Sequence, residues 1–80
     1  MAEAPTLRRL ILSQLRTYAR EARGPDAKSI ASSMAVPVTW REVLTELKKM
    51  DADHLVRGQV MRGSVHWTLT DRGRREANGS

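Results

Sequence analysis

The sequence predicts an α+β fold of three packed helices followed by a β-hairpin, with a short fourth helix at the end. Three observations predict it. Apolar residues recur at three- and four-residue steps over residues 5–22 and 40–50. A break at Ala35-Val36-Pro37-Val38-Thr39 separates the second of these stretches from a short helical segment before it. After Asp53 the chain changes to two short runs rich in β-branched residues around Arg62-Gly63-Ser64.

The first helix starts behind Pro5 with Thr6 as N-cap, and Leu7, Leu10, Ile11, Leu15, Tyr18 and Ala22 fall on one stripe. Leu12 lies off that stripe, so it either widens the buried face or packs on another subunit. Arg23-Gly24-Pro25-Asp26 then supplies a stop, a turn and a new N-cap for a second helix over residues 27–34. In the third helix Trp40, Val43, Leu44, Leu47 and Met50 form the inner stripe, and Val38, Arg41, Glu42, Thr45 and Lys49 point outward. The hairpin strands are expected over residues 55–61 and 65–70. On the second, Val65, Trp67 and Leu69 alternate with His66 and Thr68, one face for the core and one for solvent or ligand. Thr70 is placed to cap the last helix. The domain is expected to span residues 5–75, with 76–80 a flexible tail.

Eighty residues make one small domain. Its apolar content is 40%, with Tyr18, Trp40 and Trp67 the three aromatics, which suits a small core and leaves little room for a ligand cavity. No small-molecule effector pocket is therefore expected. Absence of cysteine rules out a disulfide framework and a thiolate zinc site. The longest apolar run near the start is Leu10-Ile11-Leu12, too short for a signal peptide or membrane span, so a soluble cytoplasmic protein with no membrane partner is expected. Neither histidine has a nucleophile and carboxylate in a recognisable pattern, and there is no glycine-rich phosphate loop. The chain does not read as an enzyme, and no cofactor is expected. Asp51, Asp53 and His54 read as a polar helix end, since no second histidine stands at ligand spacing for a metal.

Positive charge is what the chain offers in quantity. The net charge is +5 and the pI is near 10.8, with eleven of fourteen cations arginine. Arginine presents a planar fork to phosphate or guanine where lysine offers a point charge. Residues 7–23 carry five Arg against one Glu, and residues 57–75 carry five Arg against one Asp, so each segment sums to +4. This distribution favours nucleic acid, although an acidic protein or anionic membrane would also be attracted.

Ile30-Ala31-x-x-Met34-Ala35-Val36, the following helix with Val43 and Leu47 inside, Leu55-Val56, and Trp67-Thr68-Leu69-Thr70-Asp71-Arg72-Gly73 resemble the winged helix-turn-helix of bacterial and archaeal transcription regulators. The MarR and PadR groups are the most similar. In them a Leu-Thr pair, two variable residues and a glycine close the second wing strand and open the next helix, the spacing of Leu69 to Gly73. The resemblance covers about residues 7 to 75 and implies double-stranded DNA as partner, with the third helix in the major groove and the hairpin tip on the backbone or minor groove. This chain departs in having Ala35 for the usual glycine, Pro37 for a Ser or Thr cap, and Asp53-His54 before Leu55-Val56 where a glycine is common. The flanking helices through which those regulators dimerise and bind effectors have no counterpart among these residues, so effector sensing is not carried over.

On that basis Arg41 is the first candidate for base reading, as a bidentate partner of guanine, with an ion pair to Glu46 on its own helix as the competing role. Val38, Thr39, Glu42, Thr45, Lys48 and Lys49 complete the third helix's contact set, with Thr39 equally suited to capping that helix. Lys28 and Ser29 are placed to hold a phosphate on the second helix's first amides. Arg57, Arg62, Gly63 and Ser64 form the wing contacts, and Arg72 runs beside them with Arg74 and Arg75. Trp40 and Trp67 are expected in the core, and His66 faces away from it. The resulting expectation is a small transcriptional regulator or chromosome-associated factor, nucleoid-associated if prokaryotic, dimerising through the first helix or the C-terminal segment. The alternative is a winged helix used as a protein-interaction module in a larger complex, with the third helix's outer face against a protein.

Overall fold

The computed structural model describes residues 6–18, 24–34 and 36–78. Its elements run α1 (Leu7–Thr17), α2 (Ala27–Ser33), α3 (Trp40–Ala52), β1 (Val56–Met61), β2 (Ser64–Leu69) and α4 (Asp71–Asn78). This is the α+β winged helix-turn-helix order. Ile11, Leu15, Ile30, Val43, Leu47, Met50 and Val56 are fully buried at its centre, so all three leading helices and the wing's first strand feed one core.

Three helix starts follow from local chemistry. Thr6 Oγ1 accepts from the Arg9 amide at 3.2 Å, and Asp26 Oδ1 accepts from the Ser29 amide at 2.8 Å. At α3, Thr39 and Glu42 form a capping box: Thr39 Oγ1 accepts the Glu42 amide while Glu42 Oε1 accepts the Thr39 amide. Pro37 therefore lies outside the helix, and the cap is supplied two residues later by Thr39.

In the first helix Leu12 takes the first of its two expected roles and widens the buried face. The helix closes at Thr17 with Tyr18 as C-cap, and the expected extension over residues 19–22 lies outside the described residues. Its buried residues are Ile11, Leu12 and Leu15, with Leu12 only 4% exposed and Leu10 half-buried. Helix α1 is embraced by α3, α4 and β2, so a wider arc is covered than a single stripe. Leu12 belongs to this chain's own core, and the motive it offered for a dimer is gone.

A further correction concerns Trp40, which is 40% exposed rather than in the core. The buried stripe of α3 begins one turn later, at Val43, because the helix's first turn extends past the layer that covers Val43, Leu47 and Met50. Trp67 behaves as expected, 5% exposed, with its ring laid over Gly58 on the opposite strand.

Helix α3 leaves through a Schellman motif built without glycine. Leu55 N–H donates to Met50 O at 2.9 Å and His54 N–H to Asp51 O at 3.0 Å, with His54 in the left-handed region at φ 62°. The hairpin then pairs Val56 with Leu69 through to Met61 with Ser64. Only Arg62 and Gly63 form the tip, with φ 51° and 83°, a type I′ turn whose twist matches the strands. Ser64 is thus in β2 rather than the loop. Beside β2, Trp67 N–H donates to Pro25 O at 3.0 Å, and His66 Nδ1 lies 2.6 Å from Gly24 O. The expected outward His66 is accordingly spent on tying the α1–α2 connection to the wing.

Thr70 caps α4 as expected, and β2 ends one residue before it: its Oγ1 accepts the Gly73 amide at 3.0 Å and itself donates to His54 O. A Cβ on Gly73 would stand 1.9 Å from Leu55 O, which explains the glycine of the Leu-Thr-x-x-Gly pattern as a close approach of α4 to the exit of α3. Helix α4 continues to Asn78 and sets Ala77 against the core, so residues 76–78 are helical rather than part of a loose tail.

Candidate nucleic-acid interface

Helices α2 and α3 open a cleft of about 680 Å³ lined by Lys28, Ala31, Ser32, Val38, Thr39, Trp40 and Arg41. A second, of about 330 Å³, joins α2 and α3 to the wing and is lined by Asp26, Lys28, Trp40 and Leu44 together with Gly63, Ser64 and Val65. Lys28 and Trp40 belong to both. The start of α2, the start of α3 and the wing tip therefore form one continuous surface, which brings Lys28, Val38, Thr39, Arg41, Gly63 and Ser64 together.

The charges on this surface are arranged by tertiary contacts. Lys28 Nζ stands 5.6 Å and Arg41 Cζ 5.5 Å from the centroid of the Trp40 ring, so an exposed indole lies among cations. The competing Arg41–Glu46 pair does not form; Glu46 is held by Arg8 of α1, with Nε donating to Oε2 at 2.9 Å. Arg8 also reaches Asp53 at 2.7 Å, and those two hydrogen bonds raise its already high pKa. One cation of the basic N-terminal segment is thereby an internal clamp. Among the described residues, Arg41, Lys48, Lys49, Arg57 and Arg62 have no ion-pair partner.

The remaining candidates divide by what they already touch. Glu42 and Thr39 hold the capping box, and Thr45 Oγ1 donates to Arg41 O at 2.9 Å. Lys48 and Lys49 are exposed farther along α3. Arg57 and Arg72 are brought together at the base of the wing, where they line a cleft of about 520 Å³ with His54, Thr68, Thr70 and Asp71. Arg74 sits 3.7 Å from Asp71 in an exposed pair. The expected phosphate seat on the α2 amides is filled from within. Ser29 N–H is bonded to Asp26, whose carboxyl is held below its ordinary pKa by that backbone bond first and by the Ser29 side chain next, so a negative charge already stands there.

Two participants were not legible beforehand. Exposure of Trp40 depends on where the core layer stops, and Arg8 acts through a carboxylate 38 residues away. Among the described residues, no group of three His, Asp or Glu side chains is close enough to hold a metal ion. No described helix is long and apolar enough to cross a membrane.

No family model matches the chain, and no curated protein matches it in sequence. Solved structures do. AF1382 from Archaeoglobus fulgidus superposes with a TM-score of 0.78 at 19% identity, covering 90% of this chain and 77% of that one. F-93 of SSV1 gives 0.69 at 16% identity, covering 98% and 84%. The MarR family protein Rv2887 of Mycobacterium tuberculosis, solved with salicylic acid, gives 0.65 at 26% identity, covering 94% of this chain and 54% of that one. This chain thus spans about half of the MarR family protein. The likeness establishes a winged helix-turn-helix resembling the MarR type.

Proposed function

We propose that this chain is a DNA-binding regulator that lays α3 in the major groove of duplex DNA and its wing tip on the adjacent backbone or minor groove. The observation that carries this reading is the continuous surface made by the start of α2, the start of α3 and the wing tip, where Arg41 has no ion-pair partner among the described residues and Lys28 stands near Asp26 without a direct ion pair. A major groove admits one helix, and helix-turn-helix proteins read base edges from the first turns of the second helix. Arg41 stands there over the Trp40 ring with no ion-pair partner among the described residues, and is assigned to guanine. Lys28, Lys48 and Lys49 are assigned to phosphates, as are Arg62 and the Gly63 amide at the wing tip. Arg57 and Arg72 would extend the backbone contact along the base of the wing.

Charge-driven binding has a measurable signature, since each neutralised phosphate releases condensed counterion. Fluorescence anisotropy against a labelled genomic duplex should show affinity falling linearly in log–log form with salt. Arg62→Ala should lower affinity for random and selected duplexes alike. Arg41→Ala should weaken the selected one more. Binding to no duplex at low salt would overturn the reading and favour the surface as a contact for an acidic protein.

A further inference from the structure

From the placement of Trp40 we infer that its indole reads the C5-methyl group of thymine in the major groove. The inference rests on the DNA-binding reading above and adds a specific base to it. Trp40 is the first residue of α3, the end of a recognition helix that meets base edges. It is 40% exposed, although the other tryptophan, at 5%, is in the core. It is also shared by both clefts of the candidate interface, so it stands between α2 and the wing tip at the middle of that surface.

Chemistry narrows what such a side chain can recognise. Lys28 Nζ and Arg41 Cζ stand over the ring, 5.6 Å and 5.5 Å from its centroid, and their charge draws phosphates to the indole and brings its uncovered edge up to the bases. Beside those cations the indole offers its apolar carbon edge and one donor, Nε1–H. In the major groove the apolar feature of a base pair is the thymine methyl group, so it is what the ring's carbon edge, as distinct from its Nε1–H, is suited to contact. Val65 lines the cleft on the wing side of Trp40, and Val60 opposite it on β1 is 74% exposed, adding apolar surface across the hairpin.

Deoxyuridine differs from thymidine by that methyl group alone and keeps the O4 acceptor and the Watson–Crick pairing. Duplexes selected from a random library should be re-synthesised with deoxyuridine at each thymidine in turn. For the wild-type protein, one or two positions should lose about three- to five-fold in affinity, the size expected for removing one buried methyl group. Trp40→Ala should bind thymidine and deoxyuridine duplexes equally, and Trp40→Phe should keep part of the difference. Binding to every selected duplex with no thymidine-to-deoxyuridine difference in the wild-type protein would overturn this inference and leave DNA binding standing. So would a difference that persists in Trp40→Ala, or tighter binding to single strands than to duplex, which would assign the ring to base stacking. Failure to bind any duplex would remove both readings.

Discussion

The Arg8 guanidinium of α1 grips the Glu46 carboxylate of α3 at 2.9 Å, with 38 residues between them in the chain. Its other arm reaches Asp53 at 2.7 Å, beyond the last turn of the same helix. The clamp fixes the angle of α3 against α1 and removes a negative charge from the helix assigned to DNA. Arg8→Met should cost about 0.5–1 kcal/mol in urea denaturation, since the pair is partly solvated. It should also weaken duplex binding at low salt, although Arg8 is outside the interface, because Glu46 regains its full field. Adding Glu46→Gln to Arg8→Met should restore the affinity without the stability; unchanged binding in Arg8→Met would refute the electrostatic role.

His54 holds the left-handed position that ends α3, at φ 62°, where a Cβ is strained. Its backbone groups make the contacts that matter there: N–H to Asp51 O, and the carbonyl accepting from Thr70. His54→Gly should therefore stabilise the protein by about 0.5–1 kcal/mol, the relieved strain exceeding the extra entropy of the unfolded chain. A lower urea midpoint would show that the imidazole contributes more than the strain removes.

Asp26 gives the fold an acid-sensitive point. The Ser29 backbone bond, then its side chain, hold the carboxyl below its ordinary value of 3.8, and His66 and Lys28 add a smaller pull. A group whose folded pKa is depressed stabilises the protein fully above its unfolded value and loses that contribution as pH falls through the folded one. Stability should accordingly decline below about pH 4, near the unfolded value for aspartate. Asp26→Asn keeps a competent cap and should flatten that part of the decline, whereas Asp26→Ala should cost about 1 kcal/mol at neutral pH. An unchanged acid limb in Asp26→Asn would assign the decline to other carboxylates.

The two tryptophans should separate cleanly. Trp67→Ala removes a buried ring laid over Gly58 and should cost about 3–5 kcal/mol, enough to unfold much of the population. Trp40→Ala should cost under about 1.5 kcal/mol, because the ring lies at the surface and loses mainly its contacts with two cations. Iodide should quench the fluorescence of Trp67→Phe, which keeps Trp40, far more than that of Trp40→Phe. Equal quenching would contradict the placement of Trp40.

What could be read from the sequence by itself was decided within a few residues. Thr6, Asp26 and Thr39 cap helices whose amides lie three residues away, Pro37 breaks the helical run at its own position, and Gly63 provides a positive φ for the hairpin turn. These local preferences, with the apolar periodicity, suffice for the helix order and the wing. Only the tertiary structure decided which charges and rings remain available. Leu12 is buried because α1 is covered from three sides, Trp40 is exposed because the core layer ends one turn short of it, and Glu46 is neutralised by a residue from another helix. His66 is withdrawn to Gly24 for the same reason: burial and pairing depend on what the fold sets opposite a side chain, which spacing along the chain does not specify. The fold was legible because its signals are local, and the interface was only partly so because its composition is what long-range packing leaves uncovered.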